Sequence, residues 1–229
     1  MRAAFTSEVS AIEATMGAQL SAAHDGLSRL EAMICHPTQA DAEALIASGR
    51  ELRRRFRETD LRLVTLSATQ APVACDLRLV LTLLQIAQHQ GLIANQFGLI
   101  GEQLTEIDSG VTDRCGTTER LCELARLACQ QLHGAAQAFA QRDAGSSEAL
   151  RRSDAQLNRL NREICRASLE TPAGPEHREL AFRHVLIARS LERIGDNSVG
   201  IARNMAELVQ ADVHHLAHPG AASPLGALS

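Results

Sequence analysis

The sequence predicts an all-α protein of six helices, arranged as two tandem three-helix bundles that form an internal repeat. Three observations predict it. Ile187, Leu191, Ile194, Ser198, Ile201, Met205 and Leu208 succeed one another at alternating spacings of four and three, as on a helix that lays an apolar edge along its neighbours. Moving back by 101 residues lands on Ile86, Gln90, Ile93, Phe97, Ile100, Leu104 and Ile107, a second seam that only Gln90 interrupts. A pattern returning at a fixed offset is the mark of a repeat. Finally, Trp and Tyr are absent and Phe occurs only five times, so the core has to be aliphatic and rich in Ala, which suits closely spaced helices.

The first helix is expected over about 6–34, on the seam Val9, Ile12, Met16, Leu20, Ala23, Leu27 and Leu30, closing at Cys35, His36 and Pro37. Thr38 is a good N-cap for the second, with Asp41 in its first turn to favour the dipole; this helix extends to about residue 69. Pro72 suits the first turn of helix three, which runs to about 107. The turn-rich stretch around Gly110 is the break between repeats. Helix four follows over about 114–141, and Ser146 or Ser147 caps helix five, which ends near 169. Pro175 opens helix six, expected to end near Asp212. The bundles therefore occupy 1–109 and 110–212, and 213–229 is expected to be a disordered tail carrying His214, His215 and His218 among Pro, Gly and Ala.

Bulk properties narrow the function. A length of 229 residues holds two small domains or one large one, and 45% hydrophobic with 22% charged residues is an ordinary globular balance. A net charge of -4 disfavours general nucleic-acid binding, and the lack of aromatics disfavours base stacking. The run from Arg50 to Glu58 invites a nucleic-acid reading, but Glu51, Glu58 and Asp60 make a solvated, ion-paired face the preferred one. No stretch approaches the roughly twenty apolar residues that span a membrane. Glu8 and Glu13 within the N-terminal helical pattern argue against a signal peptide, and a cytoplasmic location is expected. Cys115, Cys122 and Cys129 are seven apart and interleave with Thr118, Ala125, Leu132 and Phe139. Cysteine as a small hydrophobe is the preferred reading, a redox relay the alternative. No CxxC pair occurs among the six cysteines, so a zinc ribbon or finger is not expected.

Beside the last seam runs a second row, Arg189, Glu192, Asp196, Gly200 and Arg203. Glu192 and Asp196 are four apart, and like charges there cost a few tenths of a kcal/mol. Either Arg189 and Arg193 screen them at a solvated surface, or a hard cation sits between carboxylates projecting from a bundle helix.

LERIGDNSVGIA, residues 191–202, resembles the signature of the PhoU family, regulators of high-affinity phosphate uptake, whose usual form is close to LERIGDHAxNIA. APVACDLRLVL, residues 71–81, resembles that family's QPVAxDLRxVL. The resemblance covers roughly 5–210 and implies two three-helix bundles, metal-binding E(D)xxxD motifs and regulation without catalysis. It further implies a cytoplasmic protein at the inner face of the membrane, which binds the ATPase subunit of the phosphate ABC transporter and the phosphate sensor histidine kinase, restrains both, and commonly forms a homodimer.

The resemblance also implies a second acidic pair on each middle helix. In the second repeat that register gives Asp154 and Asn158, so one carboxylate has become an amide, and the family's Asn after the GD motif is Gly200. In the first repeat the corresponding four positions are Gly49, Arg53, Gly91 and Asn95, with no carboxylate. The expected metal residues are thus Asp154, Asn158, Glu192 and Asp196, holding a divalent or iron cation in the second bundle only. Oxygen ligands suit magnesium, manganese, calcium or iron.

No catalytic or cofactor-binding constellation is readable: no phosphate loop, no HExxH and no Ser-His-Asp order, so an enzyme is not expected. A histidine phosphotransfer module built on His89 lacks a basic cradle beside it. A di-iron oxidase lacks paired Glu-x-x-His motifs. The remaining alternative is a metal-independent helical adaptor for another partner.

Overall fold

The computed structural model describes residues 2–107, 110, 111, 113, 116–170 and 174–217. Its helices are α1 (Arg2–Leu27), α2 (Leu30–Cys35), α3 (Gln39–Gln70), α4 (Cys75–Thr105), α5 (Thr117–Gln141), α6 (Ser146–Leu169) and α7 (Pro175–Ala217). No strand occurs among the described residues. Helices α1 and α2 together take the place of the predicted first helix, so the six-helix plan holds with its first rod broken.

The two seams explain the packing. All seven seam residues of α7 are buried, and on α4 Ile86, Gln90, Ile93, Phe97, Ile100 and Leu104 are buried too. Burying an Ile or Leu side chain contributes about 1.5–3 kcal/mol, so each seam commits its helix to a central place. Accordingly α4 and α7 pack against each other. Around them, α1 and α3 complete the first bundle with α4, while α5 and α6 complete the second with α7. Helices α1 and α2 also lie on α5, which joins the bundles a second time. Gln90, the interruption in the first seam, is fully buried, and its Nε2 donates to the Met16 carbonyl of α1 at 3.0 Å.

Several boundaries differ from the expected ones, each for a local reason. The first helix starts earlier and breaks at Ser28 and Arg29, where the Ser28 hydroxyl donates to the Asp25 carbonyl at 2.9 Å, a side-chain bond that competes with the helical ladder. Pro72 lies outside α4, because Ala71 and Ala74 both take positive φ (43° and 51°) and the helix begins only at Cys75. Thr38 does cap α3, accepting from the Asp41 amide at 3.1 Å. Helix α5 starts at Thr117 rather than near 114, with Asp113 Oδ2 accepting from the Thr118 amide at 2.6 Å. The α6 cap is neither serine. Asp143 accepts from the Gly145 amide at 2.8 Å and from the Ser146 hydroxyl, and these bonds hold its carboxyl below the usual range. Helix α7 passes the expected end near Asp212 and continues to Ala217, since no Gly or Pro occurs between Gly200 and Pro219. His214 and His215 are therefore helical, contrary to the expected disordered tail; His218 and the residues after it lie outside the described residues.

His184 ties α7 to the start of α5. It is 2% exposed, and its Nδ1 shares a 2.8 Å hydrogen bond with Thr117 Oγ1. Burial pushes its pKa below the ordinary 6.5, against an opposing pull from Asp113. The unfolded chain then binds the extra proton, so this contribution is intact above about pH 6.5 and is lost progressively as the pH falls from there through the lowered folded value. Urea melts taken between about pH 7.5 and 5.5 are expected to show stability falling with pH, and His184→Gln to flatten that dependence.

Candidate functional site

Asp154 and Asn158 stand one turn apart on α6, and Glu192 and Asp196 one turn apart on the adjoining α7. Asn158 Nδ2 donates to Asp154 Oδ2 at 2.9 Å, while the other oxygen, Oδ1, is buried without a partner. Burial raises the pKa of Asp154, and the charge of Glu192 adds to it, against the lowering effect of the nearby Gln131 and Asn158 amides. Asp196 lies at the rim. Its pKa is raised first by desolvation, then by Asp154 and Glu192, with Arg189 and Arg193 opposing. Glu192 is mostly buried and ion-paired to Arg189. The carboxylates thus feel one another, yet no three His, Cys, Asp or Glu side chains among the described residues converge as a ligand set. Both alternatives read from the sequence find something here. Arginine screens Glu192, and the Asp154–Asp196 pair is short of positive charge. Its hard, partly desolvated oxygens, one of them unpartnered, are of the chemical kind that divalent cations take as ligands.

Gln131 of α5 is a member of this site that the sequence analysis missed. It is 2% exposed; Nε2 donates to Ser153 Oγ at 3.0 Å, and Oε1 has no partner. That Oε1 would lie only 2.3 Å from a Cβ at position 195. Gly195 is what lets the α5 amide reach across α7 to the residue beside Asp154. A glycine next to Asp196, matched to a glutamine on an apolar helix face, was the available signal.

The four corresponding positions of the first bundle part company. A Cβ on Gly49 would sit 2.9 Å from the Gly98 amide and 3.0 Å from the Ala94 carbonyl, so α3 and α4 touch backbone to backbone there. Gly101 makes the same close approach one turn on, 2.9 Å from the Ala42 carbonyl. No acid fits at 49. Arg53, Gly91 and Asn95 instead line an open groove of about 710 Å³ between the two helices.

Residues 121–205 match the family model of the PhoU domain. That stretch is similar to a PhoU domain. The matched stretch contains Gln131, Asp154, Asn158, Glu192 and Asp196, and the architecture of the whole chain agrees with it. A crystal structure of the phosphate transport system regulatory protein PhoU from Streptococcus pneumoniae superposes with a TM-score of 0.77 at 17% identity, covering 90% of this chain and 96% of that one. PhoU from Pseudomonas aeruginosa gives 0.72 at 20% identity, covering 90% and 95%. At such identities the likeness is one of fold. An uncharacterized protein of Deinococcus radiodurans is 35% identical over 101 residues, which is 43% of this chain and 37% of that protein's length.

Within the PhoU fold, Gly200 has a partner of its own. A Cβ there would lie 2.4 Å from His89 Cε1 and 2.6 Å from Nε2, because the His89 ring of α4 lies across the α7 backbone. His89 Nδ1 also shares a 2.9 Å hydrogen bond with Asn197 Oδ1. His89 is thus a bond between the two central helices, occupying the space that the family's asparagine side chain would need.

The cysteines of α5 pack as small hydrophobes for the most part. Cys122 is buried and Cys129 lies partly buried against the core; Cys115 lies outside the described residues. What the spacing did not reveal is a contact with Cys35 of α2, whose Sγ is 3.0 Å from Cys122 Sγ. Desolvation, followed by the Cys35 thiol, pushes the Cys122 thiol up to about 12, so it stays protonated at neutral pH.

Proposed function

We propose that this protein restrains high-affinity phosphate uptake and keeps the phosphate-starvation response off while phosphate is plentiful, acting by binding and not by turnover. One observation carries the reading. The LERIGDNSVGIA stretch lies inside the matched PhoU domain, on the central helix of a body whose fold is that of a phosphate transport system regulatory protein. The partners are then the ATPase subunit of the phosphate ABC transporter and the phosphate sensor histidine kinase, met at the cytoplasmic face of the membrane by a homodimer. No described helix is long and apolar enough to cross a membrane; in this proposal the attachment there is made through the two partner proteins. Crosslinked pull-downs from native membranes are expected to recover both partners. Recovery of neither, with the bait folded, would favour the adaptor alternative.

A divalent or iron cation in the second bundle belongs to the same proposal, with Asp154, Asn158, Glu192 and Asp196 as the residues that would hold it. What it supplies is positive charge where mutually repelling carboxylates now meet. The raised pKa values of Asp154 and Asp196 mean that folding disfavours their ionised forms. Two results follow. Manganese or magnesium should raise the Tm of the wild-type protein by several degrees. Asp154→Asn combined with Asp196→Asn should raise the Tm of the metal-free protein and abolish the response to metal. A wild-type Tm indifferent to both ions, and to iron and calcium, would return the pair to a screened surface.

A further inference from the structure

From the first bundle we infer a binding site for a small tetrahedral oxyanion, on the place where the repeat has inverted its charge. The inference is independent of the regulatory role proposed above. Arg50, Arg53 and Arg57 lie on one face of α3 at spacings of three and four. Arg53 and Arg57 line two recesses. One, of about 400 Å³, is also lined by Arg50 and Arg54, and the other is the 710 Å³ groove that reaches Gly91 and Asn95 of α4.

These arginines differ from their neighbours in having nothing to neutralise them. Arg54 and Arg55 are committed to Glu51, and Arg54 also to Glu58; the two arginines drive the Glu51 carboxyl down to about 2. Arg50, Arg53 and Arg57 make no ion pair among the described residues. Arg53 Nε is buried with no hydrogen-bond partner at all. A buried guanidinium nitrogen without an acceptor costs free energy until one arrives. Asp60 also lines the groove but pairs with neither Arg53 nor Arg57.

The chemistry of the missing acceptor follows. A guanidinium fork binds planar or tetrahedral oxyanions through parallel N–H donors, more strongly than neutral groups. Arg53 and Arg57 in the groove that also holds the Asn95 amide, with Arg50 beside them in the adjoining recess, suit a group of two negative charges and several oxygens. The ligand class is therefore phosphate, free or as the head of a phosphate monoester. Gly91 keeps the entrance open, since nothing lies within 4 Å of a Cβ built there.

The site can be tested without disturbing the fold. Full-length protein is titrated with inorganic phosphate and, separately, with glycerol 3-phosphate, at constant ionic strength, and binding is followed calorimetrically. Wild type is expected to bind at least one of them saturably, and which one names the source. Arg53→Gln and Gly91→Glu, the first removing the unpartnered donor and the second placing a carboxylate in the open entrance, should each weaken binding about tenfold or more. A Cβ at 91 has nothing within 4 Å, so the thermal melt of Gly91→Glu should stay near wild type. The site is refuted if neither ligand saturates up to about 10 mM, or if Gly91→Glu binds as tightly as wild type.

Discussion

Gly49→Asp is expected to destabilise the protein by about 3 kcal/mol or more, although it restores the acid that the repeat would place there. The Cβ alone would lie 2.9 Å from one backbone atom of α4 and 3.0 Å from another, and backbone cannot swing aside as a side-chain tip can. The helices have to separate, which uncovers the Phe97 seam and leaves a carboxylate half-desolvated. Gly91→Asp is the matched control: it restores an acid at the neighbouring register position in open space and should move stability by no more than about 0.5 kcal/mol. Urea midpoints of the two variants measure the difference. If Gly49→Asp melts like Gly91→Asp, the backbone contact between α3 and α4 is not what excludes an acidic site from the first bundle.

Gly200→Asn, which restores the family's residue after GD, should cost about 1–3 kcal/mol. The new side chain has to push the His89 ring off α7 and break its bond with Asn197. Once His89 is already alanine, the asparagine has room, so the cost in that background should fall by at least half. A double-mutant cycle reads this directly as a coupling energy. Simple additivity would mean that His89 and position 200 are independent, and that the ring does not lock the central helices together.

Most of the fold was legible because it rests on periodicity. The seams of α4 and α7 are written in residues three and four apart, and burial follows from them without knowledge of any partner. Gln90 shows the limit. It read as a defect in the seam, yet it is buried against a carbonyl of α1, a partner far away in sequence. The missed features share that property. The Cys35–Cys122 contact joins residues 87 apart, and the His89–Asn197 bond joins residues 108 apart. Gly49 was legible as a lost acid but not as a close approach, which needs α4 to present its own glycine at 98 and carbonyl at 94. The capping errors are of another kind. Asp143 reaches into α6 from outside the serines that spacing favoured, and only the turn geometry decides which oxygen arrives.

For the candidate residues, positions along α6 and α7 were legible in the sequence, and the partners of their side chains were not. Asp154, Glu192 and Asp196 do share one part of the α6–α7 boundary, as their registers require. Their side chains nevertheless answer to nearer partners, Asn158 for Asp154 and Arg189 for Glu192, which spacing along single helices does not foretell. Gln131 entered from a third helix through the gap that Gly195 leaves.

The central claim, that this chain restrains phosphate uptake by binding, is tested most directly by labelled phosphate uptake in cells grown on abundant phosphate. The measurement compares wild type with a strain lacking this gene and any other gene for a PhoU-domain protein, with and without the gene restored. The account predicts higher phosphate accumulation and active starvation genes in the deletion strain, both reversed when this chain alone is returned. Uptake and starvation-gene expression that do not change when this chain is returned to that strain would contradict it.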